Sequence, residues 1–251
     1  MCELFSHLKL AITVDKTKSV LFKTPQSNIN LADGCIQIRG LPIHFSRDAE
    51  CLGVTLSSDT KWNEHFRVAS RKCYAVIASL ARLKQLGYDR NFLLWLYDAL
   101  LVPVLSYGIS VRGSTYRNVV NRFQVIQNDA IRTIMNYPRK KSVRAIHKQK
   151  SILDVKGLAD FRVAVLMYKH YTGRFRLDFI NAEPLLDSGY NLRSNRIGLL
   201  HGPAVGTALR GQSPSVHFVR IWNALPSELK TVPTTALFKK GVKEYLVSTI
   251  S

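Results

Sequence analysis

The residues whose types and spacing suit a chemical task are mostly cations. Arg67, Arg71 and Lys72 recur at i, i+4 and i+5, while Arg139, Lys140 and Lys141 are contiguous and head a basic run reaching Arg144. Guanidinium and ammonium groups set out this way can lie along a polyanion backbone, positioning a nucleic acid without reading its bases. The plainer alternative for each is a solvated helix face or a wet loop. Groups for bond-making chemistry are missing. The sequence has no Gly-x-Ser-x-Gly elbow, P-loop, dinucleotide glycine fingerprint or His-Glu-x-x-His pair. Its seven histidines are isolated, and its acidic residues rarely form pairs that would face inward together. No self-contained active site is expected.

The overall balance points the same way. The chain has 36 Lys and Arg against 17 Asp and Glu, a net charge of +19, and a pI near 10.0. Such a chain is drawn to polyanions, nucleic acid above all, although a merely soluble basic protein has the same balance. An anionic membrane surface is disfavoured because the charge is spread along the length, with no polybasic cluster beside an apolar anchor. Cys2, Cys35, Cys51 and Cys73 lie far apart with no Cys-x-x-Cys pair, so no disulfide framework and no metal site is expected, only reduced and mostly buried thiols. The first residues show neither a secretory nor a transit pattern, which leads us to expect an intracellular location, nucleus or cytoplasm. The apolar stretch 91–111 is about as long as a membrane span, but Asp98 near its centre and Pro103 within it predict a buried, kinked helix.

The elements that must position these residues follow from periodicity. At 251 residues, with 46% hydrophobic side chains and a mean hydropathy of −0.02, the chain can build one large core or two small ones. Val20 and Phe22, Ile36 and Ile38, Ile43 and Phe45, and Leu52, Val54 and Leu56 recur at period two, which predicts a small antiparallel sheet turned at Gly34 and Gly40. From Asp59 or Thr60 the period becomes helical. Trp62, Phe66, Ala69, Cys73, Ile77, Leu80 and Leu83 form one stripe, and a helix over 91–107 and another with Val119, Phe123, Ile126, Ala130 and Ile134 complete a bundle. The charged stretch 139–150 reads as a linker before a helix over 158–171. Loops with short strands around 190–197 and 204–208 are expected next, then helices around Phe218–Trp222 and Leu237–Leu246. The fold class is α+β, mainly α, in three parts: 1–58 with the sheet, 59–137 with the bundle, and a mixed region 138–251.

An ordered set of motifs carries a resemblance. Thr13-Val14-Asp15-Lys16-Thr17-Lys18-Ser19-Val20-Leu21-Phe22 is followed by Cys51-Leu52-Gly53-Val54-Thr55-Leu56 with Asp59, Trp62 and His65. Leu101-Val102-Pro103-Val104-Leu105-Ser106-Tyr107-Gly108 comes next, then Ile221-Trp222-Asn223-Ala224-Leu225-Pro226 with Phe238-Lys239-Lys240. In that order they resemble the end of the palm, the primer grip, the thumb and the tail of non-LTR (LINE-type, jockey-like) retrotransposon reverse transcriptases. Thr13 stands where the family has Asn, and Cys51 where it has an aromatic residue.

The resemblance implies a palm remnant over 1–58, a helical thumb over 59–137 and a C-terminal region beyond. It implies that Lys16 matches a lysine near the leaving pyrophosphate, that Leu52 and Gly53 match the grip on the primer end, and that Arg67, Arg71 and Lys72 flank the duplex. Trp62 and His65 are expected to pack the thumb helix onto the sheet. Fingers, most of the palm and the Tyr-x-Asp-Asp turn that holds two metal ions would lie before Met1, and Tyr97-Asp98 is followed by Ala99. The chain is therefore expected to use no cofactor of its own (Mg²⁺ belongs to the full-length parent) and not to polymerise alone. The expected partners are RNA and DNA as a primer-template duplex, bound without sequence preference, and the missing fingers and palm; no membrane is expected. Two other readings stay open: a stand-alone basic nucleic-acid-binding module, and a transposon remnant without function.

Overall fold

The computed structural model describes residues 13–23, 34–38, 40–59, 62–112, 117–180, 198–202, 204, 206, 211 and 213–250. The chain forms two compact units, Met1–Val68 and Ala69–Ser251.

The first unit holds two hairpins. β1 (Cys35–Ile38) pairs antiparallel with β2 (Leu41–His44), so that Ile36 lies opposite Ile43. β3 (Asp48–Cys51) pairs with β4 (Val54–Ser57), Cys51 opposite Val54, which leaves Leu52-Gly53 as a two-residue turn. Both turn residues have positive φ, 49° and 76°, the geometry whose twist matches that of the flanking strands. Glycine adopts it freely, whereas Leu52 adopts it against its Cβ. An extended segment joins the hairpins: Ser46 N–H donates to Ser19 O at 2.7 Å, and Lys23 N–H donates to Ser58 O at 3.0 Å. The first helix, α1 (Asn63–Gln85), begins in this unit, where buried His65 accepts the Thr55 amide on Nδ1 at 3.3 Å and Trp62 meets its ring edge-on.

The second unit is helical. Asp89 accepts the amides of Asn91 and Phe92 and starts α2 (Arg90–Leu96). A π-helical turn, Tyr97–Leu101, leads into α3 (Val102–Ser106). Pro103 has no amide proton for the ladder and crowds the turn before it, and the wider turn absorbs the mismatch. Next come α4 (Ile109–Arg112), α5 (Arg117–Met135) and α6 (Arg144–Gln149). α7 (Val155–Tyr171) is capped by Asp154, whose Oδ1 accepts from Gly157 N–H at 2.6 Å. The last three are α8 (Pro214–Ala224), α9 (Ser227–Lys230) and α10 (Thr235–Ser248).

α7 is apolar nearly all round because it has neighbours nearly all round: α3, α4 and α5, and also α8 and α10. Its Tyr168 stacks on Phe238 at 4.2 Å and donates to Val232 O at 2.7 Å, while fully buried Trp222 donates to Gly198 O at 2.7 Å. A second buried stripe, Leu93, Tyr97, Leu101 and Leu105, accompanies the α5 stripe of Val119, Phe123, Ile126, Ala130 and Ile134. Between them Gln127 donates to both Tyr97 Oη and Leu153 O at 2.8 Å.

The α+β, mainly α class holds, with departures in detail. The strands form two separate two-stranded sheets. The predicted Val20–Phe22 strand is reduced to a single parallel bridge between Ser19 and Phe45. Leu52 is in the turn, because pairing Cys51 with Val54 leaves no room for it in a strand. The 139–150 stretch is partly α6, folded because Val143, Ile146 and His147 are buried. The 91–107 helix is not core throughout, since Phe92, Trp95 and Leu100 are exposed. Cys35 and Cys51 are exposed and only Cys73 is buried among the described cysteines. Among the described residues no helix is long and apolar enough to cross a membrane. The strand expected over 190–197 and most of 204–208 lie outside the described residues.

Candidate nucleic-acid interface

The sequence-predicted residues are distributed over four places. Lys16 is exposed in the short turn Val14–Lys16. Leu52 and Gly53 form the tip of the β3–β4 hairpin, with Leu52 86% exposed. Arg67, Arg71 and Lys72 are exposed along α1, and Arg139, Lys140 and Lys141 are exposed between α5 and α6.

Their local bonding separates them. Arg67 grips Glu64 one turn back, with Nε 3.0 and 2.9 Å from the two carboxylate oxygens, and this bond raises the arginine pKa. Arg71 and Lys72 make no ion pair among the described residues, so their charge is available to a ligand. In the turn after α5, Lys141 N–H donates to Pro138 O at 2.9 Å, its Nζ lies 3.8 Å from the centroid of the Tyr137 ring, and its carbonyl accepts from Arg132 Nε at 3.1 Å. Arg132 is itself held by Asp129 at 3.1 Å. The backbone carrying Arg139 and Lys140 is thus fastened while their side chains stay in solvent.

Beside this turn is a cleft of ≈ 220 Å³, walled by Gln124, Asn128, Arg132, Ser142, Arg144 and His147 among others. His147 Nδ1 lies 3.0 Å from Ile152 O, which makes that nitrogen the donor. Burial lowers its pKa, against the Ile152 carbonyl and Asp154 which raise it. The wall is therefore a neutral imidazole at neutral pH.

No protein-family model matches the chain, and no solved structure matches it. Over 125 residues it is 26% identical to a Drosophila melanogaster protein described as "Probable RNA-directed DNA polymerase from transposon BS". That stretch is 47% of this chain and 13% of the Drosophila protein. Part of this chain is related to a transposon RNA-directed DNA polymerase.

Polymerases commonly run phosphoryl transfer through two bound metal ions. Tyr97 and Asp98 do not fit that group. Tyr97 is buried, its hydroxyl accepting from Gln127, and its pKa is pushed up by burial. Asp98 has its pKa raised by burial, which the charge of Lys243 opposes. Among the described residues no three His, Cys, Asp or Glu gather as a metal site. No metal-dependent step is assigned to them.

Sequence periodicity missed Tyr88, Phe92 and Trp95, which are exposed and stacked on one another. The available signal was their i, i+4, i+7 spacing, out of phase with the buried Leu93, Tyr97 and Leu101.

Proposed function

We propose that this chain is the primer-template-holding part of a non-LTR, LINE-type retrotransposon reverse transcriptase, comprising the end of the palm, the thumb and the tail. The observation that carries this reading is the similarity to a transposon RNA-directed DNA polymerase. The net charge of +19 and the exposed Arg71, Lys72, Arg139 and Lys140 support it, since they supply phosphate contacts without base readout. In this reading the Leu52-Gly53 tip is the grip on the primer end. Lys16 belongs to the parent enzyme's leaving-group chemistry, and fingers, metal-binding turn and Mg²⁺ come from the rest of the polymerase.

Binding of an RNA–DNA duplex tests it. With about six phosphate contacts, affinity falls roughly a thousandfold between about 50 and 200 mM salt, and each of Lys72→Ala and Lys140→Ala lowers the salt slope by about one. Base sequence makes no difference. A salt-independent affinity, or none at low salt, sinks the proposal. Primer extension by this chain alone in Mg²⁺ is expected to yield no product, and a product would overturn the assignment of catalysis to the missing part.

A further inference from the structure

Large aromatic side chains seldom remain together in water without a use. Tyr88, Phe92 and Trp95 are 49%, 37% and 63% exposed. Folding does not need them there, because α2 and its continuation are already docked through Leu93, Tyr97, Leu101 and Leu105, all buried. The three rings form a ladder. Tyr88 and Phe92 have centroids 5.1 Å apart, Phe92 and Trp95 5.9 Å apart, and each pair is inclined by 25°. Tyr88 and Trp95 end the ladder, each with one face not taken by Phe92.

We infer that this ladder is a stacking platform for the unpaired bases of single-stranded RNA or DNA, next to Lys150 at the end of the cationic segment 139–150. The inference rests on the reading of the chain as a nucleic-acid holder and adds that the partner at this place is single-stranded. A flat, polarisable ring accepts any base on its π-face, and single-strand sites pair such rings with cations that follow the backbone. Charge complementarity favours this occupant. Asn91, one turn before Trp95, has its Oδ1 3.5 Å from Lys150 Nζ, which brings the end of the basic segment alongside the ladder. Of the two nearby carboxylates, Asp89 is engaged in capping α2, and Asp98 is faced by Lys243. Leu86 and Leu100, also exposed, are what a protein partner would use instead.

Tryptophan emission of the full chain, titrated at low salt with oligo(dT), oligo(U) and an abasic phosphodiester of the same length, tests the inference. The two base-bearing strands quench emission and the abasic strand does not. Trp95→Phe removes the quench, because Trp222 is buried and Trp62 half-buried. Trp95→Ala and Tyr88→Ala each weaken oligo(dT) and oligo(U) binding roughly 5- to 150-fold and leave abasic binding and the salt slope unchanged. Circular dichroism confirms the fold, and Tyr88, which precedes α2, gives the second variant that spares the helix. Equal affinity for abasic and base-bearing strands overturns the platform while the phosphate-contact function survives. Self-association abolished by Trp95→Ala, with unaltered oligonucleotide binding, overturns it in favour of protein docking. Loss of all salt-dependent binding by the unmutated chain overturns both readings.

Discussion

The hairpins of 34–58 and the helices of 69–250 bury their apolar residues to very different extents. In the first unit Ile43 is the buried large hydrophobic among the described residues, while Phe22, Ile36, Leu41 and Leu52 are exposed. In the second, α7, α8 and α10 close over Trp222, Phe238 and Val242 with almost no exposure. A two-stranded hairpin is marginal by itself, and its outer backbone groups are open to pairing. The difference teaches that the helical unit has a closed core of its own, whereas the described hairpins bury little and are tied in part through the 19–23 segment and His65.

The largest expected effect lies in the helical core. Trp222→Ala should cost about 3–5 kcal/mol, since it empties a space against Phe238 and removes the bond to Gly198 O. Urea unfolding followed by circular dichroism measures it. A loss under about 1 kcal/mol would remove the contrast between the units.

Ile43→Ala should cost about 2 kcal/mol, the low end for such truncations, because a thin core relaxes into the space. Hydrogen exchange should quicken in β1–β4 and stay unchanged in α7. Equal acceleration in both would mean that the units unfold together.

Acid should act on the second unit. Burial lowers the pKa of His147 and of His217, the latter opposed by Asp160 and reinforced by Arg220 and Lys156. Below about pH 6.5 the unfolded chain binds protons that the folded chain refuses, so stability drops as pH falls through this window. Each ring contributes at most about 1.4 kcal/mol per pH unit. The Tm should decrease between about pH 7.5 and 5.5, and a constant Tm would contradict the lowered pKa of both rings.

The smallest effect is a gain. Leu52→Asn should stabilise the β3–β4 hairpin by about 1 kcal/mol or less, because Asn tolerates positive φ better than Leu. Duplex affinity measured on the same variant sharpens the comparison: weaker binding by a more stable protein would show that the exposed leucine serves the interface and not the fold.

Much of the helical unit was legible in the sequence. The stripe of Val119, Phe123, Ile126, Ala130 and Ile134 is buried as its spacing required, and the helices around Trp222 and Phe238 form where the periodicity put them. Side-chain direction along a helix is set by the backbone itself, so spacing reports it. The hairpins were less legible, since an apolar residue at period two can fall in a turn, as Leu52 does, once pairing register is chosen.

The amino-acid order alone determined the charge, the helical phases, the motif order and the absence of familiar catalytic signatures, because these are properties of composition and local geometry. Only the tertiary structure decided which apolar side chains found neighbours. It buried Tyr97 and left Trp95 in water two residues away, and it folded part of a charged linker into α6. Burial depends on partners distant in the chain, and no local spacing encodes where they will be.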